Sequence, residues 1–199
     1  MRYTPEFFDT LFSGNDDPWN HRACWYEARK RALVLASLPA ARYQHAYEPG
    51  CANGELSAAL AGRCDRLWVS DGSPRAVAVT RARLAAWPHV QVQQAWLPAQ
   101  WPDALFDLVV ISELGYYLDP SALDELAAKV LDSLQAGATV LACHWRWPIE
   151  NCALSGDAVH QRLGAALNLP LLGQVLEADL RIDVWCQDSR SVGQHAHLA

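Results

Sequence analysis

No C-x-x-C pair occurs in the 199 residues, and no histidine spacing that would close a zinc site. The six cysteines, Cys24, Cys51, Cys64, Cys143, Cys152 and Cys186, are scattered. That pattern speaks against a disulfide scaffold or a metal-built fold and reads as free thiols in a reducing compartment. No apolar run approaches the ~20 residues of a membrane span. The start, Met-Arg-Tyr-Thr-Pro-Glu, lacks the basic-then-apolar order of a secretory leader. Basic charge is also short: 16 Lys and Arg against 22 Asp and Glu give a formal net charge of −6, a poor match for a phosphate backbone. The expectation is a cytoplasmic globular protein with no metal, membrane or nucleic acid among its partners. Methionine occurs once, whereas tryptophan occurs nine times and tyrosine six. Trp19, Trp96, Trp101, Trp145 and Trp147 fall in expected loops or at strand ends. Such aromatics suit pockets that are apolar on one side and wet on the other, and can cover a cation. Packing of a loop onto the core explains each one equally well.

What is present is enough hydrophobic sequence, 51%, to bury a sizeable core in one domain. Short strand-like runs alternate with helical ones throughout, which predicts a parallel, doubly wound α/β sheet. Strands are expected to end at Pro49 and to span 67–71, 90–93, 106–112 and 138–143. The run Phe106-Asp107-Leu108-Val109-Val110-Ile111-Ser112 has the continuous apolar character of a central strand covered on both faces. Helices are expected over 55–60, from Ser73-Pro74 to about 86, over 121–134 and over 156–167. Runs 171–177 and 180–185, separated only by Ala178-Asp179, predict an antiparallel hairpin. Ahead of the sheet, Thr4-Pro5 looks like a capped helix start and 21–38 has helical spacing. The expected organisation is one domain over 1–199: an N-terminal helical cap or lid at 1–43, a core at 44–188 and a patternless tail at 189–199.

The stretch Glu48-Pro49-Gly50-Cys51-Ala52-Asn53-Gly54 reads as a strand end, a glycine turn and a helix start, where backbone N–H groups meet a ligand. Asp71 closes the second strand about 17 positions after Gly54, near the ~20 expected of a carboxylate that holds a ribose. A dinucleotide turn wants glycine where Ala52 stands, and Glu48 would repel a pyrophosphate. The third strand leads into Gln94-Ala95-Trp96-Leu97-Pro98. The fourth ends in Ser112-Glu113-Leu114-Gly115-Tyr116-Tyr117-Leu118 and the fifth in His144-Trp145-Arg146-Trp147-Pro148. Carboxyl ends of strands are where open α/β sheets bind ligands.

The first of these stretches resembles the E/D-x-G-x-G-x-G motif of class I methyltransferases, with Ala52 replacing the middle glycine. Asp17-Pro18-Trp19 and Glu113-Leu114-Gly115-Tyr116-Tyr117-Leu118 narrow the resemblance, over about 17–143, to the nodulation protein S (NodS) branch. The resemblance implies a Rossmann-like, mostly parallel seven-stranded sheet with an antiparallel C-terminal strand. It implies S-adenosyl-L-methionine as cofactor, leaving S-adenosyl-L-homocysteine. The cradle would be Glu48, Pro49, Gly50, Cys51, Ala52, Asn53 and Gly54, followed by Asp71, Gly72 and Ser73. Adenine would lie among Ala95, Trp96 and Leu97, with Trp96 where many relatives carry an acid. Ser112, Glu113 and Leu114 would complete the site, and the N-terminal lid would bring Trp19, Tyr26 and a basic group to the cofactor's carboxylate. An amphipathic helix with a solvated face is the equal alternative for that segment.

For the acceptor the resemblance implies a small amine such as a de-N-acetylated amino sugar, with a sugar deacetylase as a partner. An amine must lose its proton before it attacks. Glu113 is the first choice to bind or deprotonate it and His144 the second, with Tyr117 beside them. Tyr116 and Tyr117 would shape the methyl channel, and Trp145 and Arg146 would hold the acceptor. Glu113 as a cap, His144 as a satisfied core histidine and the tyrosines as core are the plainer readings. O-methylation of a hydroxyl and a non-catalytic cofactor-binding module stay open beside N-methylation.

Overall fold

The structure is a computed structural model that describes residues 3–195. Seven strands form one sheet: β1 (Tyr43–Pro49), β2 (Cys64–Asp71), β3 (Val90–Gln94), β4 (Phe106–Ser112), β5 (Leu134–Trp145), β6 (Leu171–Leu176) and β7 (Leu180–Cys186). Their order is β3-β2-β1-β4-β5-β7-β6. Strands β1 to β5 pair in parallel, and β7 runs antiparallel between β5 and β6. This is the doubly wound, Rossmann-like sheet expected, with its antiparallel C-terminal strand. Strand order reverses between β1 and β4, so a crevice opens beyond their carboxyl ends.

The helices are α1 (Pro5–Leu11), α2 (Trp25–Ser37), α3 (Glu55–Ala61), α4 (Pro74–Arg83), α5 (Pro120–Asp132), α6 (Gly156–Leu167) and α7 (Val192–His195). Four begin on a side-chain cap: Thr4, Ser73, Asp119 and Ser155 accept from the N–H of Phe7, Ala76, Ala122 and Ala158. Each cap satisfies an N–H that the helix itself leaves without a partner. Both faces of the sheet are covered. Val34 and Leu60 pack with Leu67, Leu108 and Leu141 on one side. Leu123, Leu126 and Leu163 pack with Val109, Ile111 and Val140 on the other. β4 is therefore apolar at nearly every position, as the sequence suggested.

Several boundaries differ from expectation. β2 begins at Cys64 instead of 67, and α5 ends at Asp132 instead of 134. β5 begins at Leu134 instead of 138, taking in a stretch read as a helix stop, and the β4–β5 register shifts between Phe106 and Leu108. α2 begins at Trp25 instead of 21, because Asp17 folds 17–22 into a turn by accepting from the N–H of His21 and Arg22 (2.7 and 3.0 Å). α4 ends at Arg83 instead of about 86. Part of the tail is helical as α7, and 196–199 lie outside the described residues.

The N-terminal segment is fastened at both ends. Asp9 Oδ1 in α1 accepts from Ser73 Oγ (2.9 Å) and the Arg75 N–H (3.2 Å) at the start of α4. Arg29 in α2 donates a two-pronged pair of bonds, each 2.7 Å, to Glu177 after β6.

One close approach makes a sharp test. A Cβ on Gly156, in the first turn of α6, would sit 2.1 Å from the Trp145 carbonyl oxygen. Alanine in a helix ordinarily stabilises by about 0.5–1 kcal/mol over glycine. Gly156→Ala is expected to do the opposite, lowering the urea midpoint; an unchanged or raised midpoint contradicts this packing.

Candidate active site

Between β1 and α3 the chain turns through three left-handed residues, Gly50 (φ 76°), Ala52 (φ 50°) and Gly54 (φ 78°). Ala52 has a Cβ and pays about 1 kcal/mol or more for that conformation. It is held there from two sides: its N–H donates to Asp71 Oδ2 (3.0 Å), and its carbonyl accepts from Thr80 Oγ1 (2.8 Å). Asp71, half-buried at the end of β2, also accepts from the Ser73 N–H (2.9 Å). Burial pushes its carboxyl up to about 6 against the pull of these backbone donors. Glu48 is 2% exposed, and burial pushes it up to about 8. Its Oε2 makes no hydrogen bond of good geometry, but the Ser57 hydroxyl, likewise without another partner, lies near enough to draw the carboxyl's pKa down against burial. The adjoining wall is Trp96, whose ring lies so close that a Cβ on Gly72 would be 2.4 Å from Cε3. Only glycine at 72 lets the indole close on the strand end.

These residues open onto a cavity of about 510 Å³. The N-terminal segment roofs it. Asn53 Nδ2 donates to Asp17 Oδ1 (2.8 Å), and His21 Nδ1 lies 3.3 Å from Asn53 Oδ1, tying the segment to the glycine turn. Trp19 stacks on His21 at 5.7 Å, and Arg31, also in the wall, donates to the His21 carbonyl (2.7 Å). Tyr3 and Phe8 meet the Tyr117 ring at 5.0 and 5.1 Å.

The far end is built around Glu113, itself left-handed (φ 53°) just past β4. Its Oε1 accepts from Lys30 Nζ (2.9 Å). Its Oε2 accepts from the Tyr116 hydroxyl and the Trp145 N–H (3.2 Å). Lys30 also donates to Glu27 (3.0 Å) and lies over the Tyr26 ring at 5.6 Å. Only 7% of Lys30 is exposed. Burial alone would push its ammonium down; Glu113 and Glu27 outweigh that and hold it above the usual lysine range. The Tyr26 hydroxyl, also in the wall, is buried without a partner.

Most of the expected residues converge on this cavity. Glu48, Gly50, Cys51, Ala52 and Asn53 line it, as do Asp71 and Gly72. Ala95, Trp96 and Leu97 form the wall beyond them, and Ser112, Glu113 and Leu114 the end of β4. Trp19, Tyr26, Tyr116, Tyr117 and Trp145 complete the enclosure. Pro49, Gly54 and Ser73 are scaffold: Pro49 ends β1, Gly54 precedes α3 and Ser73 caps α4.

Two residues require correction. His144 is fully buried outside the cavity wall, and both ring nitrogens are engaged, one by the Gly115 N–H (3.0 Å) and the other by His160 (3.1 Å). It has no access to a substrate proton. Arg146 is committed to Asp157 (2.9 Å) and the Glu177 carbonyl, also outside the wall. Glu113 is present but bound by three donors, which makes it an anchor instead of a free base. Lys30, Glu27, His21 and Arg31 went unassigned in the sequence. Alternating charge on a helix reads as a solvated face, and nothing local marks Lys30 as the buried one.

Comparison with known proteins bears on this arrangement. A family profile described as Nodulation protein S (NodS) matches residues 12–141, well over half of the chain. The chain belongs to the NodS family. Nodulation protein S from Sinorhizobium fredii (strain NBRC 101917 / NGR234) is 36% identical over 122 residues, 61% of this chain and 56% of that protein. The Rhizobium tropici protein is 36% identical over 104 residues, 52% of this chain and 44% of that protein. This NodS-family chain thus spans about half the length of those relatives. A crystal structure from Pseudomonas syringae, provisionally described as a methyltransferase, is 49% identical. It covers 82% of this chain and 99% of that one, with a TM-score of 0.74. N-methyltransferase NodS from Bradyrhizobium japonicum WM9, solved with S-adenosyl-l-homocysteine, shares the fold at 24% identity and TM-score 0.77, covering 91% of this chain and 96% of that one.

The buried acids give the protein a pH signature. Folding holds the Glu48 carboxyl near 8 and the Asp71 carboxyl near 6, both above their unfolded values. The folded form therefore favours the protonated groups, and stability present below about pH 4 is lost as pH rises through 6 to 8. Glu48→Gln is expected to melt higher than the wild type at pH 8, with the gain gone at pH 4; equal melting at both values contradicts it. Lys30→Met leaves two carboxylates facing an uncompensated site and should cost about 3–5 kcal/mol in urea unfolding at pH 7.

Proposed function

We propose that this protein is an S-adenosylmethionine-dependent N-methyltransferase that acts on a small amine, an amino sugar freed of its acetyl group being the leading acceptor. The reading carries with it one domain over 1–199, with cap 1–43, core 44–188 and tail 189–199, at work in the cytoplasm. The observation that carries it is Glu48: a buried carboxyl in the cavity wall, placed where a dinucleotide fold would receive phosphate. An ammonium beside it favours its ionised form and is attracted by it, whereas a pyrophosphate would oppose that ionisation. The relationship to a family containing N-methyltransferase NodS supports the same cofactor.

The residues present fit the ligand's parts. Asp71 offers a carboxylate to the ribose hydroxyls, and Trp96 with Ala95 and Leu97 supplies an apolar slot for adenine. Glu48 faces the amino group, and Arg31 with His21 supplies basic groups for the carboxylate. When bound, S-adenosylmethionine supplies an electrophilic methyl group on a sulfonium. Leu114, Tyr116, Tyr117 and Trp145 exclude water and hold the acceptor in line, and such positioning supplies most of the rate in a displacement of this kind. Glu113, fixed by Lys30, Tyr116 and the Trp145 N–H, orients the acceptor's N–H. Because that carboxylate is already occupied, the amine enters as its free base, which favours an amine over a hydroxyl that would need a strong base. A deacetylation reaction would supply such an amine.

Calorimetry with S-adenosylhomocysteine and with NAD tests the cofactor. Binding of the first alone is expected, weakened about tenfold or more in Asp71→Asn. Methyl incorporation across matched free and acetylated amino sugars tests the acceptor, with incorporation into the free amines alone expected. Binding of NAD in place of the homocysteine compound overturns the proposal.

A further inference from the structure

A file of buried polar groups runs from the C-terminal hairpin to the loop that carries Glu113, and none of it touches the cavity. Asp183 in β7, His160 in α6 and His144 in β5 are each no more than 1% exposed. The Gly115 N–H lies 3.0 Å from His144 Nε2, His144 Nδ1 lies 3.1 Å from His160 Nε2, and His160 Nδ1 lies 2.9 Å from Asp183 Oδ2. Asp183 is held in turn by Arg181 Nε (2.9 Å) and Gln174 Nε2 (2.7 Å).

The direction of every bond follows from the first. A backbone N–H can only donate, so His144 Nε2 is bare and the neutral ring carries its proton on Nδ1. That proton faces His160 Nε2, which must accept, so His160 carries its own proton on Nδ1 and donates to Asp183. A carboxylate can only accept, and the file closes consistently at both ends. Reversing any one group reverses the rest and sets a ring N–H against the Gly115 N–H. Gly115 has little room to move away, since a Cβ there would meet Val159 at 2.3 Å and His144 Nε2 at 3.1 Å.

We propose that Asp183, His160 and His144 are positioning residues that lock His144 in one tautomer and thereby fix the Glu113–Tyr117 loop for the methyl acceptor. The acceptor part rests on the methyltransferase reading; the tautomer part does not. The loop begins at Glu113 and ends at Tyr117, so a shift at Gly115 moves the Glu113 carboxylate relative to Lys30 and the Trp145 N–H.

The test compares two replacements of His160 with opposite hydrogen-bonding sense. His160→Gln can still accept from His144 through its carbonyl and donate to Asp183 through its amide. His160→Lys can only donate, which forces the His144 proton onto Nε2. Nitrogen NMR of histidine-labelled protein should place the wild-type protons on Nδ1 of both rings. His160→Gln should keep that state for His144. His160→Lys should move the His144 proton to Nε2, speed exchange of the Gly115 amide on the order of 10- to 100-fold and shift the Trp145 amide. With glucosamine as the probe amine, kcat should fall about tenfold or more in His160→Lys and stay near wild type in His160→Gln, while S-adenosylhomocysteine affinity changes less than about threefold in both. A wild-type His144 protonated on Nε2 overturns the proposal by itself, whether or not either variant folds. So do equal losses in the two variants, which would mean packing and not bond direction. If the wild type fails to bind S-adenosylhomocysteine, the cofactor reading falls and the tautomer result stands on its own spectrum.

Discussion

The contact on which the rest of the site depends is the ion pair between the buried Lys30 in α2 and the half-buried Glu113 past β4, 2.9 Å apart. It joins the N-terminal segment, which roofs the cavity, to the strand end that forms its floor. Neither charge is tolerable in that setting alone, so the pair holds two elements 83 residues apart in one relative placement. Its contribution is geometric more than energetic, because the cost of desolvating both groups cancels much of their attraction. Glu27, Tyr116 and the Trp145 N–H then saturate what the pair leaves open. The Glu113 end of the cavity is thereby a set of fixed dipoles, whereas at the glycine-turn end Glu48 has only the Ser57 hydroxyl near its carboxyl.

Much of the fold was legible because its causes are local. β4 reads as a buried strand from its unbroken apolar run, and Thr4-Pro5 and Ser73-Pro74 announce helices through cap chemistry. The glycine turn and Asp71 were legible for a similar reason: left-handed backbone and a strand-end carboxylate leave marks within a few residues. Ala52 shows the limit of that rule. It takes a conformation that glycine favours, and what holds it there, Asp71 and Thr80, lies 19 and 28 positions away.

The Glu113 end of the cavity was harder to read because it is assembled from distant segments. Lys30 sits between Arg29 and Arg31 on one helix, and only the packed structure distinguishes the buried ammonium from its half-buried neighbours. His144 and Arg146 stand at a strand's carboxyl end, where function is often found, yet each is spent within the framework. Position along a strand shows where a side chain begins; its partners decide whether it is available. The abundant aromatics divide in the same way. Trp96, Trp145 and Tyr117 face the cavity, while Trp147 is 54% exposed and bonded to Asp179.

β7 carries one more implication, for the order in which the site comes into being. It is inserted between β5 and β6, and its residue Asp183 anchors the chain of contacts behind the Glu113 loop. A ribosome delivers this hairpin after every other strand, when β1 to β4 and the glycine turn have already emerged. A nascent chain can therefore hold a finished glycine turn while the Glu113 loop still lacks its backing, which arrives only when β7 docks between β5 and β6.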